Sequence, residues 1–213
     1  MAFRARARGF FLAFLVAAVA ARPAAAQETV DRIVARVEND IILLSDIRDL
    51  GAYQMLVQGK KEPDARLLDR LIDQGIVRTE AEASGYPRPA REDVDAEVEK
   101  LKTETPAGAS FEERLRENGL TEADVRRMVE SQLYLTGYLD SRFRPAVQVD
   151  QKDVEDYYQK TVVPLARTKG QEPPSLESSQ EWIHELLVQQ KINEQADRWL
   201  KERRSRLHVE KMA

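Results

Sequence analysis

The segment VDRIVARVENDIILLSDI, which spans Val30–Ile47, determines how the fold begins. Val30–Val37 is rich in β-branched residues, Ile41–Leu43 is a second short apolar run, and Asn39-Asp40 lies between them. Two such runs around a turn signal predict a β-hairpin. Because an isolated hairpin is only marginally stable in water, this hairpin needs a third strand or a helix to cover it.

The end of the chain supplies a candidate for that third strand, at Leu207–Glu210. A long helix is predicted just before it, from about Gln180 to Arg206, with apolar residues at helical spacing. We expect this helix to lie across the N-terminal helices and complete their core. The predicted fold is therefore mainly α, a multi-helix module with a small antiparallel sheet.

Helix signals fill most of the chain between the hairpin and the last helix. Ser45 is a candidate N-cap for a helix over Asp46–Gln58, which Gly59 can end. Pro63 suits the first turn of the next helix. That helix carries apolar residues three and four positions apart, namely Leu67, Leu68, Leu71, Ile72 and Ile76.

Further helices follow in the second third of the chain. Ala90–Lys102 predicts a charged helix. Two capping boxes then predict helix starts. Their residues are Ser110 with Glu113, before a short helix that ends at Asn118-Gly119, and Thr121 with Asp124, before a longer helix that stops ahead of Pro145. Asp150 is expected to cap one more helix.

The periodic pattern is lost over residues 164–179, where prolines, a glycine and serines predict a linker. The first 26 residues have the features of a secretory signal peptide: three early arginines, an apolar run over Gly9–Ala21 and the small residues Ala24-Ala25-Ala26. The predicted organisation is a signal peptide (1–26), a helical module with the hairpin (27–163), a linker (164–179) and a C-terminal helix and strand (180–213). An uncleaved N-terminal anchor is the alternative for the first segment.

Composition limits the classes of function. Residues 1–26 contain four arginines and no acidic residue, so their removal would change the net charge from −4 to −8. An acidic chain has no electrostatic reason to bind nucleic acid, and it has little attraction for anionic lipid, so no stable membrane insertion is expected after cleavage. The chain contains no cysteine, which excludes thiol catalysis and a lipoprotein anchor.

The sequence contains no pattern typical of an active site. It has two histidines, His184 and His208, without a recognisable acid-base partner, and no glycine-rich phosphate loop or metalloprotease motif. Acidic pairs such as Glu92-Asp93 are explained by first-turn acids that favour the helix dipole. We therefore expect no catalytic residues, no metal and no cofactor, and we predict that the protein is not an enzyme.

Aromatic and methionine side chains on the helices are the candidates for a binding site. Tyr134 and Tyr138 are four residues apart, so they share a helix face that the core stripe need not cover. Methionine adapts its shape and tyrosine gives amphipathic contact area, which suits promiscuous binding. The predicted peptide-binding residues are Tyr53, Met55, Met128, Tyr134 and Tyr138. For any one of them a place in the core is the favoured alternative, but as a group some should line a groove.

Three segments carry a resemblance to a known family. Val30–Ile47 resembles the N-terminal signature of the SurA family of periplasmic chaperones and related parvulin-type foldases. Phe111–Arg126 is similar to the helix-turn-helix that leads into that family's long helix, and Ala196–Glu210 resembles its C-terminal helix and strand. These motifs are structural, come in the family's order and span nearly the whole chain after residue 26.

The resemblance implies a periplasmic chaperone whose partners are unfolded polypeptides, with outer-membrane β-barrel precursors as the implied clients. In that family, parvulin prolyl-isomerase domains lie between the helical module and the C-terminal helix. Residues 164–179 are far too few for such a domain. We therefore carry over the scaffold but not the isomerase activity or its catalytic residues.

Three hypotheses follow. The first is a holdase that binds clients through a partly apolar groove. The second is a structural or assembly subunit whose apolar face is covered by one partner or by a second copy, for example a homodimer formed by swapping of the C-terminal helix. The third is a prolyl isomerase with an unrecognised site.

Overall fold

The computed structural model describes residues 31–38, 40–104 and 110–212. The predicted signal peptide and the turn residue Asn39 lie outside the described residues. Within them the chain is mainly helical with a small three-stranded antiparallel sheet, which confirms the predicted fold class.

The sheet joins the two ends of the described chain. Strand β1 (Ile33–Val37) lies in the middle, with β2 (Asp40–Leu43) on one side and β3 (Val209–Lys211) on the other, both antiparallel to it. The predicted hairpin and third strand are therefore confirmed. Strand β3 begins two residues later than predicted because Leu207 still closes the preceding helix through its N–H, which donates to the Arg203 carbonyl.

The first helix, α1 (Leu44–Gln58), follows β2 without a loop. The prediction that Ser45 is its N-cap is wrong, since Leu43 holds that position and Ser45 lies in the first turn. The Asp46 carboxylate accepts from the Leu43 N–H at 2.8 Å, so an acid one turn into the helix does the capping. Gly59 ends the helix in the left-handed conformation, as predicted.

The next two helices, α2 (Asp64–Ala83) and α3 (Arg91–Thr103), lie close to their predicted positions. Pro63 is the N-cap of α2 rather than a first-turn residue, and Ala90 is the N-cap of α3. Helix α2 packs against both α1 and the sheet, and its residues Leu67, Ile72 and Ile76 are buried in the same core as the hairpin.

Both predicted capping boxes are confirmed. Ser110 and Glu113 open α4 (Phe111–Glu117), where the Ser110 N–H donates to Glu113 at 2.8 Å. Thr121 and Asp124 open α5 (Glu122–Phe143) in the same way. Helix α5 passes into a 3₁₀ turn at Arg144–Ala146, so the helix ends ahead of Pro145.

The prediction of a linker over residues 164–179 is wrong for most of its length. Asp150 caps α6 (Gln151–Tyr157) as expected, but a π-turn (Tyr158–Val162) then leads into α7 (Val163–Thr168). The backbone stays helical from α6 through the π-turn into α7, and Pro164, which has no N–H to donate, lies just after the π-turn, where the hydrogen-bond pattern changes. Helix α8 (Leu176–Arg206) begins early because the Ser175 hydroxyl accepts from the Ser178 N–H at 3.1 Å.

Helix α8 serves two packing units. Its second half packs on α2 and α5, where Trp199 and Leu200 contact both the hairpin core and the core between α2 and α5. Its first half packs on α6 and the π-turn around a separate small core of Val154, Tyr158 and Ile183. We call residues 150–188 the arm. No helix among the described residues is both long enough and apolar enough to cross a membrane.

The corner between α1 and α2 is held by a polar network. The buried Gln54 accepts from the Glu62 N–H at 2.9 Å and donates to the Glu62 carboxylate at 3.0 Å. Arg70 donates to both oxygens of the same carboxylate. The bonds from Arg70 and Gln54 stabilise the charged form and lower the pKa of Glu62 from 4.5 to about 2.

The Leu67→Ala variant tests the core between α2 and the sheet. Leu67 is fully buried, so the truncation should lower the free energy of unfolding by about 2–5 kcal/mol in chemical denaturation. The matched control is Leu165→Ala on α7, where the side chain is 53% exposed and the loss should stay within about 0.5 kcal/mol. Similar losses at both positions would contradict this placement of the core.

The low pKa of Glu62 predicts a pH dependence. Because the pKa is lowered on folding, the interaction stabilises the fold above pH 4.5 and is lost as the pH falls from 4.5 towards 2. Carboxyl NMR titration should show a midpoint for Glu62 near 2, and Arg70→Met should raise it towards 4.5. A midpoint near 4.5 in the unsubstituted protein would refute the network.

Candidate functional site

The five predicted binding residues do not form one site. Tyr53 and Met128 pack at the edge of a core made by α1, α3, α4 and α5. Tyr134 and Tyr138 belong to the separate core between α2 and α5. Met55 is exposed on α1.

The prediction that Tyr134 and Tyr138 face an open groove is not supported, since their exposed fractions are 2% and 4%. Tyr86 lies against both rings, with centroid distances of 5.8 and 5.7 Å. Arg142 donates to the Tyr138 hydroxyl at 3.1 Å. Helices α2 and α8 cover this face of α5, so the pair that shares a helix face is part of the core.

Gly137, between the two tyrosines, permits this packing. A Cβ atom at that position would lie 2.7 Å from the Tyr86 hydroxyl oxygen, which is closer than real contacts allow. The glycine therefore lets Tyr86 approach α5 and seal the aromatic cluster.

Tyr53 is half-buried where α1 meets α3 and α5. Its hydroxyl donates to the Gln132 side chain at 3.4 Å. Burial, with a smaller contribution from the charge of Glu97, raises the pKa of Tyr53. Tyr53 is thus neutral at physiological pH, and Met128 is partly buried in the same cluster.

A small, partly apolar groove opens at the end of the same core. We call it the α1 groove. It has a volume of about 90 Å³ and is lined by Leu56, Val57, Leu101, Glu104, Phe111 and Arg114. Leu56 and Phe111 are buried at its base, and Val57 is 43% exposed.

Met55 does not line the α1 groove, although it is close in sequence. Residues two apart on a helix face different directions, so Met55 and Val57 cannot share a face. Val57 and Tyr53 are four apart and do share one. The consecutive apolar residues Met55-Leu56-Val57 at the end of α1 could have indicated an exposed apolar surface from the sequence. Only one or two of three consecutive helix residues can face the protein core, so at least one must remain exposed.

The arm exposes two further large apolar side chains, Leu165 and Trp182. Leu165 was missed because its segment was predicted to be a linker, whereas Trp182 lies in the predicted last helix, where spacing alone does not show which apolar side chains stay exposed. A second groove, the arm cleft, lies between α6 and the start of α8. It has a volume of about 480 Å³ and is lined by Val149, Asp150, Gln151, Val154, Glu177, Gln180, Glu181 and His184.

The histidines occupy unrelated places. His184 lines the arm cleft, whereas His208 precedes β3 and donates its backbone N–H to the Glu38 carboxylate at 3.0 Å. In the described part of the chain, no three histidine, aspartate or glutamate side chains are grouped so that they could hold a metal ion.

No protein-family model matches this chain, and no curated protein sequence is significantly similar to it. The resemblance to the SurA family therefore rests on the three quoted segments alone and stays a prediction.

The two tryptophans should report the difference between arm and core. Trp182 is 45% exposed, whereas Trp199 is packed by Phe143 and by the guanidinium groups of Arg142 and Arg203. The Trp199→Phe variant retains only Trp182, and the Trp182→Phe variant retains only Trp199. The fluorescence of the first should have its maximum at a longer wavelength, and acrylamide should quench it several-fold more strongly. Equal quenching would contradict an exposed Trp182.

Proposed function

We propose that this protein is a periplasmic holdase chaperone that binds unfolded polypeptides without catalysis. The α1 groove is the binding site, and Tyr53 and Met128 pack partly buried against the same core. Export is supported by the signal-peptide features of residues 1–26. Outer-membrane β-barrel precursors are the clients that the resemblance to the SurA family implies.

The observation that carries the proposal is the partly apolar groove at the end of α1, where four apolar residues lie beside Glu104 and Arg114. Single exposed apolar residues are normal on any protein. Here the exposed Val57 adjoins Leu101 and the groove side of the buried Leu56 and Phe111, so a partner side chain would contact several apolar groups at once.

The size of the groove fits weak and reversible binding. Full burial of one medium-sized apolar side chain contributes about 1.5–3 kcal/mol, whereas a dissociation constant of 1 mM needs about 4 kcal/mol. A single anchor is therefore insufficient, and a client must use neighbouring contacts as well. Release then requires no nucleotide, because folding of the client removes the apolar segments that bind.

An assembly subunit is the second candidate, and the exposed Leu165 and Trp182 on the arm favour it. A permanent partner would cover such side chains. Size-exclusion chromatography with light scattering separates the two: a stable oligomer that protects Trp182 from acrylamide supports the subunit, and a monomer with Trp182 accessible supports the holdase.

Val57→Glu tests the holdase proposal. A charge in the groove opposes apolar contact, so about tenfold more variant should be needed to suppress light scattering by an aggregating client. Ile41→Glu is the matched control, since Ile41 is 50% exposed on β2 and lies at the other end of α1. The control should suppress aggregation like the unsubstituted protein.

Two outcomes would refute the proposal. One is the absence of suppression by the unsubstituted mature protein at equimolar concentration. The other is equal loss in Val57→Glu and Ile41→Glu, which would show that any added surface acid interferes. Far-ultraviolet circular dichroism of both variants checks that the helices are intact.

A further inference from the structure

The arm cleft combines an apolar base with an acidic wall. Val154 is almost fully buried and Val149 partly so, and both belong to the core of the arm. Asp150, Glu177 and Glu181 line the same cleft, and no lysine or arginine is among its lining residues. A ligand that fits must therefore offer both hydrocarbon and positive charge.

Two of the three carboxylates have no partner within the described residues. The Asp150 carboxylate caps α6 by accepting from the Asp153 N–H at 2.8 Å. Glu177 and Glu181 make no ion pair or hydrogen bond through their side chains there. Lys191, which donates to the Gln148 carbonyl beside the cleft, is already paired with Asp153 at 2.7 Å.

The helix dipole explains the position of only one of these two glutamates. Glu177 lies in the first turn of α8, where the helix dipole explains an acid. Glu181 lies one turn further on, where that effect has faded. Glu177 and Glu181 are four residues apart, and like charges at this spacing repel each other. A cation bound between them would relieve that repulsion.

We infer that the arm cleft binds a lysine- or arginine-bearing segment of an extended polypeptide. The methylene stem of such a side chain packs on the partly exposed Val149, above the buried Val154, while its charged end stays with Glu177 and Glu181 at the solvent boundary. This inference rests on the proposed function, because the segment would belong to the same unfolded clients. The arm cleft would select clients by positive charge, in addition to the selection by apolar contact at the α1 groove.

A defined peptide tests the inference. The probe is a fluorescein-labelled peptide of alternating lysine and alanine, with a glutamate-for-lysine counterpart, and binding to the full mature chain is followed by fluorescence anisotropy. The lysine peptide should bind and weaken as salt is raised. The double variant Glu177→Gln with Glu181→Gln should weaken binding roughly five- to tenfold.

The matched control is Glu92→Gln with Glu112→Gln, which removes the same charge from exposed first-turn positions of α3 and α4. It should bind the lysine peptide as the unsubstituted protein does. Equal weakening in both double variants would overturn the inference by showing a general effect of net charge. Failure of the lysine peptide to bind, or equal binding of the glutamate peptide, would overturn it too.

Other occupants give different results. If spermidine displaces the peptide at an equal concentration of positive charge, the ligand of the arm cleft is a free polyamine rather than a polypeptide. If the unsubstituted protein is a dimer and the double variant Glu177→Gln with Glu181→Gln is a monomer, the ligand of the arm cleft is a second copy of this chain. Either result overturns the inference and leaves the Val57→Glu aggregation assay unaffected, so failure of this site and failure of the holdase proposal can be told apart.

Discussion

The return of α8 and β3 to the N-terminal module is the interaction on which the rest of the structure depends. A hairpin alone is marginal in water, and here β1 gains its second neighbour only when β3, from the other end of the chain, pairs with it. The same docking of α8 places Trp199 and Leu200 between the core of the hairpin and the core between α2 and α5, which contains Tyr134 and Tyr138. Closing so long a loop costs conformational entropy, although that cost grows only slowly with loop length. Apolar burial along the second half of α8 must offset it.

Charged groups at this junction contribute more to the alignment of α8 on α2 than to the stability of the fold. Arg203 pairs with Glu80 at 2.8 Å, Arg204 with Asp73 at 2.6 Å, and Lys211 with an acid on α2 at 2.8 Å. All these side chains remain between a quarter and about half exposed, and exposed ion pairs contribute little to stability. A helix shifted by one turn would lose the Arg203 and Arg204 pairs together, so these two pairs select one alignment of α8 on α2, and the Lys211 pair holds β3 beside α2.

The sequence predicts those features whose causes are local. The capping boxes at Ser110 and Thr121 depend on side chains three residues apart, and the hairpin depends on a turn between two apolar runs. The tyrosine face of α5 could not be assigned, because its burial depends on helices distant in sequence. The α1 groove needs Val57 and Phe111 from separate helices, and no spacing rule links them. The prolines of residues 164–179 predict a linker, yet Pro164 lies within a continuous helical stretch, just after the π-turn.

A chain that keeps apolar side chains in contact with water must also avoid binding to itself. Exposed apolar patches promote association unless the surface repels other copies, and a net charge well away from zero supplies that repulsion. The predicted loss of residues 1–26 would leave a net charge of −8, and this charge would keep copies of the protein apart. The same charge would attract the proposed clients where they carry lysine or arginine. Acidic groups concentrated beside an apolar base, as at Glu177 and Glu181, therefore favour unlike partners over like ones by the sign of the charge alone.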